Sequence, residues 1–161
     1  MIRVNENLLV NNDRLASPAY EKEKSTAYLK NGRVYFENLN SYVTYMTISG
    51  KVERLSEDID PNATYYVGVY GKSDKVLKIY KGDGYKTTKT IGDFHYIEIQ
   101  GDKMKDATYI LSNESAKGYI YALGVYKDFL PDIYVPNKNG VKPEKQTLLP
   151  PEGYYKEIQA L

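Results

Sequence analysis

Residues 64–72 read TYYVGVYGK, and this stretch decides the fold class. Successive side chains of a β-strand point to opposite faces, which places Tyr65, Val67 and Val69 on one face and Tyr66 and Tyr70 on the other. Aromatic and β-branched residues favour strands over helices. The stretch therefore predicts a β-strand with large side chains on both faces.

Comparable runs recur about every 8–12 residues, the spacing typical of a β-sandwich or barrel. Further strands are predicted at 8–10, 34–39, 42–50, 52–59, 76–85, 87–92, 94–101, 107–113 and 117–129. The glycines of 81–84 (KGDG) predict a hairpin turn, and 60–62 (DPN) predicts another turn. Residues 17–33 have no apolar stripe and are interpreted as a solvated loop. Because no helical pattern reaches about 12 residues, the chain is expected to be all-β.

Composition excludes several classes of function. The 22 basic and 21 acidic residues give a net charge of +1, which does not favour nucleic acid. No window approaches the roughly 20 apolar residues of a membrane span, and the start, MIRVNENLLVNND, lacks the apolar core of a signal peptide. Cysteine is absent, so disulfides, thiolate zinc sites and cysteine nucleophiles are excluded. Tyrosine occurs 18 times and tryptophan never, which suits half-buried strands close to water or to partners.

The last part of the chain differs from the rest. Five of the seven prolines fall within residues 131–161, which rules out a central strand or an interior helix there. We therefore interpret 1–130 as a β-sandwich domain and 131–161 as an extended arm. Apolar residues along the arm are the expected docking residues, for its own domain or a neighbouring subunit: Tyr134, Leu148, Leu149, Tyr154, Tyr155 and Ile158.

Several motifs carry a resemblance to a known class of protein. Residues 7–13 (NLLVNND) resemble the NLL-x-N-x-D/S-F opening of carbohydrate-binding-module-like jelly rolls in tailed-phage tail proteins. Residues 55–72 resemble the central signature of those domains. Residues 121–136 are similar to their closing L-x-K-G…A-T-x-W-x-P, with Tyr134 in the place of tryptophan, and no phenylalanine follows the opening motif. Residues 137–143 and 148–158 look like the C-termini of small virion proteins from phages of Gram-positive hosts.

The resemblance implies a jelly-roll-type sandwich in a non-enzymatic structural protein of a bacteriophage particle. Such a protein belongs to the tail or baseplate, or to the capsid as a fibre or decoration. The implied localisation is the virion, after synthesis in the host cytoplasm. The implied partners are other virion proteins and further copies of the chain, a trimer being one form. The alternative hypothesis is an adhesion module that recognises host cell-wall glycans.

Catalytic and metal-binding patterns are weak. His95, the only histidine, shares a face with Ile97 and Ile99 and is interpreted as a packed residue. The oxygen-bearing residues of 58–62 begin like a calcium loop, but Ala63 and Val69 stand where an EF-hand needs glycine and glutamate. We expect an Asx-type turn there and no cofactor, with a structural calcium left open. The acidic residues offer no facing pair that the sequence can identify: Glu37, Glu53, Glu57, Asp93, Glu98 and Asp102.

The tyrosines of the predicted strands have two interpretations. Five of them share strand faces and could form an aromatic platform on which sugar rings stack: Tyr66, Tyr70, Tyr96, Tyr119 and Tyr121. The same spacing is expected of cross-strand packing or of a subunit interface, and this second interpretation is favoured.

Overall fold

The computed structural model describes residues 2–9, 19–20, 26–31, 33–37, 43–48, 55–81, 84–104, 107–112, 116–134 and 137. These residues form strands, one short 3-10 turn and connecting segments, and they contain no α-helix. The prediction of an all-β protein is confirmed.

The described residues form eleven strands in two antiparallel sheets. One sheet has the order β1-β4-β10-β6-β7 and the other β2-β3-β11-β5-β9-β8. The strands are β1 (Ala19–Tyr20), β2 (Thr26–Lys30), β3 (Arg33–Glu37), β4 (Val43–Ile48), β5 (Thr64–Ser73), β6 (Lys78–Lys81), β7 (Tyr85–Thr87), β8 (Lys89–Ile91), β9 (Phe94–Gln100), β10 (Ala107–Ser112) and β11 (Lys117–Lys127).

The strand pairing follows a simple rule. β3 pairs with β11, β4 with β10, β5 with β9 and β6 with β7, so the first half of the chain pairs with the second half in reverse order. Along the chain, β3 to β6 alternate between the two sheets, and β9 to β11 do the same. The pattern is that of one long two-stranded ribbon wound into a sandwich-like structure.

The main core contains the inward side chains of the six-stranded sheet and residues of β6. Tyr65, Val67 and Val69 are buried in it, as the alternation of residues 64–72 predicted. Tyr66 and Tyr70 contribute to a second, aromatic cluster, which confirms the two-faced prediction. Buried residues of the neighbouring strands and loops complete the main core: Val34, Phe36, Leu77, Ile79, Ile97, Ile99, Ile120, Leu123 and Val125.

A β-bulge in β11 decides which of its side chains face the aromatic cluster. The register with β5 shifts between Ile120 and Ala122, so Tyr121 is an extra residue on this strand. Ile120 before the bulge and Leu123 after it both enter the main core, although strict alternation would separate them. Across the sheet stands Gly71, where any Cβ would overlap the carbonyl oxygen of Tyr119.

The N-terminal segment supplies hydrogen bonds that β11 would otherwise lack. β3 pairs with β11 only as far as Ile120, so the same edge is open beyond that residue. Asn7 fills it: its Nδ2 donates to the carbonyl of Leu123 (3.1 Å) and its Oδ1 accepts from the amide of Val125 (3.1 Å). The amide of Leu8 then donates to the carbonyl of Val125 (2.8 Å). The side-chain amide of Asn7 thus takes the place of a strand's peptide group.

Two predicted strands are reduced to a single bridge. In the predicted strand at 8–10, Leu9 makes an isolated bridge with Leu55, and the stretch 55–59 of the predicted strand 52–59 is otherwise irregular. The short apolar run at 8–9 is buried because it packs into the core, not because it belongs to a ladder. Residues 11–13, where that strand was expected to end, and 51–54 lie outside the described residues.

The interpretation of residues 17–33 as a loop is wrong where the structure describes them, because β1 and β2 fall in this region. β2 pairs with β3 as far as Lys30 and Arg33, which are separated by two positions in the chain. Asn31 has φ of 52°, the left-handed conformation that asparagine tolerates in hairpin turns. β6 and β7, on either side of the hairpin turn predicted at 81–84, pair antiparallel through Tyr80 and Tyr85, whereas residues 82–83 of that turn lie outside the described residues.

We predict that Asn7→Ala lowers the free energy of unfolding by about 3 kcal/mol, because it leaves the buried backbone groups of Leu123 and Val125 without their partner. Urea denaturation followed by circular dichroism measures the change. Asn62→Ala is the matched control: Asn62 is exposed, and this change should stay within about 0.5 kcal/mol. A similar small effect for both variants would contradict the role assigned to Asn7.

Candidate functional site

The outer face of the six-stranded sheet carries a continuous chain of aromatic rings. Neighbouring ring centroids are 4.5 to 6.4 Å apart from one end to the other, within the range of favourable aromatic contacts. We call this the aromatic face, and its rings follow the order Tyr35, Tyr119, Tyr121, Tyr70, Phe94, Tyr96 and Tyr66. The five tyrosines proposed as a platform therefore do lie together on one face.

The middle of the aromatic face is buried. Tyr121 is fully buried and Tyr70 is 5% exposed, so neither can present its ring to a sugar at the surface. Tyr134 packs edge-on against Tyr70, with the ring centroids 4.9 Å apart. Tyr70 also shares a hydrogen bond with the buried hydroxyl of Tyr126 (2.7 Å). The centre of the face is therefore packed protein.

The two ends of the aromatic face remain partly accessible. Tyr119 is half-buried at one end, with the guanidinium of Arg33 4.9 Å from its ring centroid. Tyr66 and Tyr96 are half-buried at the other end and meet edge to face at 5.8 Å. Burial, followed by the charge of Glu98, raises the pKa of Tyr66, whose hydroxyl donates to that carboxylate.

The beginning of the predicted arm packs on its own domain. Tyr134 is 6% exposed and Asn137 1% exposed. Asn137 Nδ2 donates to the carbonyl of Asn7 (2.7 Å). The amide of Asp132 donates to the carbonyl of Arg3 (2.8 Å), and the Asp132 carboxylate accepts from the amide of Arg3 (2.7 Å). Of the proposed docking residues, Tyr134 therefore contacts its own domain, whereas Leu148, Leu149, Tyr154, Tyr155 and Ile158 lie outside the described residues.

A cleft of about 130 Å³ lies where this segment meets the aromatic face. Its rings are Tyr70, Phe94, Tyr121 and Tyr134, and its remaining walls come from residues 91–93 and 131–133. Two residues named on separate grounds in the sequence, the platform residue Tyr121 and the arm residue Tyr134, therefore line one cavity.

Asp93 brings a buried carboxylate to this cleft. It is 7% exposed, and its Oδ2 accepts a hydrogen bond from the Tyr121 hydroxyl (2.7 Å). The tight turn between β8 and β9 holds it there, since Ile91 pairs with Phe94 and only Gly92 and Asp93 lie between them. Gly92 has φ of 57°, which suits the first position of a type II′ turn. In the sequence Asp93 was one of several scattered acids, and only the Gly92-Asp93 turn signal could have singled it out.

His95 is a packed residue on the inner side of β9. It is 8% exposed, and its Nε2 lies 2.9 Å from the carbonyl oxygen of Gly71, which can only accept, so Nε2 carries the proton. Nδ1 is then free to accept from the Thr90 hydroxyl at 3.3 Å. Burial lowers the pKa of His95, against opposing contributions from Gly71 and from the charge of Asp93. The folded protein therefore favours the neutral form of the His95 imidazole.

The Asx-type turn expected at residues 58–62 is present. Asp60 Oδ1 accepts from the amide of Asn62 (2.9 Å), and Asp60 Oδ2 lies 3.6 Å from the ammonium of Lys127. This arrangement is an Asx turn with an ion pair. Within the described residues, no group of three or more acidic or histidine side chains is arranged to hold a metal ion. Glu37, Glu57, Glu98 and Asp102 are exposed, and Glu53 lies outside the described part of the chain.

Comparison of the chain with protein-family models, with curated proteins and with solved structures found no match. In the described part of the chain, no helix has the length and apolar character needed to cross a membrane.

We predict that His95 makes the protein less stable as the pH falls. Its pKa lies below 6.5 in the folded protein, so the unfolded chain takes up a proton first as the pH drops through about 6.5. The free energy of unfolding should therefore fall between pH 8 and pH 5. In His95→Gln, which keeps a donor for the Gly71 carbonyl, the fall should be smaller.

Urea denaturation of both proteins at several pH values measures this difference, and the other titrating groups cancel in the comparison. Equal pH dependence in the two proteins would show that His95 is as easily protonated in the folded state as in the unfolded chain.

Proposed function

We propose that this protein is a non-enzymatic structural component of a bacteriophage particle, part of the tail or baseplate or a fibre or decoration of the capsid. The sandwich would act as a rigid body that binds other virion proteins and further copies of itself, with a trimer as one form. The motif resemblance of residues 7–13, 55–72 and 121–136 supports this proposal. The strand pairing supports a jelly roll, because in that architecture the two halves of the chain pair in reverse order across two sheets.

The observation that carries the assembly proposal is a concentration of exposed apolar side chains. Seven large apolar residues are exposed in the described part of the chain, and five of them lie on or beside residues 129–133, the segment that leads to the arm. We call these five the apolar rim: Ile2, Val4, Ile91, Phe129 and Ile133, which are 41 to 64% exposed. Scattered apolar residues on a surface need no explanation, whereas a group of them marks an interaction site.

Hydrogen bonds and the shared cleft bring the members of the apolar rim together. Arg3, between Ile2 and Val4, bonds to Asp132, which precedes Ile133. Asn5 Nδ2 donates to the carbonyl of Phe129 (2.6 Å). Ile91 and Ile133 both line the cleft. Burying such side chains at about 1.5–3 kcal/mol each is enough to stabilise a contact after the cost of ordering is met.

We predict that the protein forms an oligomer in solution, and that Phe129→Asp lowers its mass by placing a charge in the apolar rim. Removing residues 138–161 should also lower the mass of the oligomer if the arm joins subunits. The cut is placed after Asn137 because Tyr134 and Asn137 are buried in the domain. Light scattering coupled to size exclusion measures the masses.

Val76→Asp is the matched control, since Val76 is exposed to a similar extent but stands outside the apolar rim. It should leave the mass unchanged. A monomeric full-length chain would contradict assembly through copies of this protein. An oligomer that survives both changes would show that the apolar rim and the arm are not its contacts.

A second candidate function is the recognition of host cell-wall glycans. It is favoured by the half-buried pair Tyr66 and Tyr96, beside the exposed carboxylate of Glu98, because sugars bind to aromatic rings flanked by polar groups. This proposal concerns the end of the aromatic face, since its centre is buried.

If glycans bind there, we predict that Tyr66→Ala together with Tyr96→Ala abolishes binding on a glycan array or to purified cell-wall polysaccharide. Tyr85→Ala should keep it, because Tyr85 is an exposed tyrosine outside the aromatic face. Absence of binding by the unmodified protein, or binding that survives the double change, would exclude this site.

A further inference from the structure

We propose that the cleft between the aromatic face and residues 131–134 binds one basic side chain, a lysine or an arginine presented by a partner protein. The identity of the occupant rests on the proposed assembly function, whereas the preference of the cleft for a cation rests on its lining alone.

The charge of the cleft is one-sided. The lining residues that the structure describes include two acidic ones, Asp93 and Asp132, and among them there is no lysine, arginine or histidine. Asp93 is the deeper of the two, at 7% exposed, while Asp132 is exposed and pairs with Arg3 at 3.9 Å. An anion would meet the carboxylate of Asp93, which repels it, whereas a cation would meet that carboxylate within apolar surroundings, where electrostatic attraction is stronger than in water.

The shape of the cleft suits a long apolar stem with a charged end. Ile91 and Ile133, 41% and 48% exposed, stand in the walls with Pro131. Lysine and arginine bury their methylene groups along such surfaces.

A sugar ring fits this cleft less well than a basic side chain does. Stacking needs a free ring face, but Tyr70 and Phe94 are stacked on each other at 4.5 Å, and Tyr134 meets Tyr70 edge-on at 4.9 Å. A volume of about 130 Å³ admits a single side chain and not an extended peptide.

The position of Asp93 is set before any ligand arrives. The Gly92-Asp93 turn fixes its backbone, and the amide of Gly71 donates to its carbonyl oxygen at 2.9 Å. The Tyr121 hydroxyl fixes its carboxylate. A carboxylate among apolar walls attracts an ammonium or guanidinium group more strongly than a neutral group of the same size.

The test is an NMR titration of the full chain with 1-butylammonium and, separately, with 1-butanol, which has the same stem without the charge. We expect both to shift the amide signal of Gly92, with the ammonium at least about tenfold tighter, as for a hydrogen bond to a charged group. In Asp93→Asn, which keeps an acceptor for Tyr121, that preference should disappear. In Asp102→Asn, an exposed carboxylate outside the cleft, it should remain.

A second variant covers the case in which Asp93→Asn fails to fold. Ile133→Lys places a cation in the exposed wall, where it should weaken butylammonium binding, while Val76→Lys should not. Equal affinity for the amine and the alcohol, or an amine preference that persists in Ile133→Lys and in folded Asp93→Asn, would overturn the cation site. The native mass is an independent readout: an amine-selective cleft in a monomeric chain supports the site and contradicts the assembly of copies.

Discussion

The open edge of β11 is the constraint on which the rest of the structure depends. β11 is the central partner of β5, and its other edge loses β3 after Ile120. Buried peptide groups without partners would cost about 1–3 kcal/mol each, so the second half of this edge must be covered. Asn7 covers it with a side-chain amide, and its own carbonyl then accepts from Asn137. One buried asparagine thus ties the N-terminal segment to the sheet and the C-terminal segment to the N-terminal one.

The second constraint is that the six-stranded sheet is covered on both of its faces. The inner face is mostly aliphatic and lines the main core, whereas the outer face is built mainly from tyrosines. A buried tyrosine needs a partner for its hydroxyl: on the outer face Tyr70 has Tyr126 and Tyr121 has Asp93, and in the main core the hydroxyl of Tyr65 accepts from the amide of Asp60. A chain without tryptophan can therefore cover the outer face of the sheet with tyrosines, whose rings are apolar and whose hydroxyl groups form hydrogen bonds.

What the sequence could predict was local. The alternation in TYYVGVYGK predicted β5 and the separation of its two faces, because period two follows directly from strand geometry. The hairpin of β2 and β3 was predictable from Asn31-Gly32, although the polar composition of residues 17–33 favoured a loop. The bulge at Tyr121 was not predictable, since nothing in KGYIYALGVYK shows where the alternation changes phase. The role of Asn7 depends on contacts 116 to 118 residues away, which no local pattern contains.

The cleft follows from the same long-range contacts. Its floor is the aromatic face, one wall is the turn at Gly92, and the other wall is the segment 131–134 that Arg3 and Asn7 hold in place through Asp132 and Asn137. None of these parts forms a cavity alone, which is why the sequence showed Tyr121, Asp93 and Tyr134 as separate features. Because both terminal segments support one wall, a side chain bound in the cleft would also stabilise their attachment to β11, since a ligand that binds only the folded state stabilises that state. Binding at the proposed site in the cleft would in this way be coupled to the fixation of the terminal segments through a single strand edge.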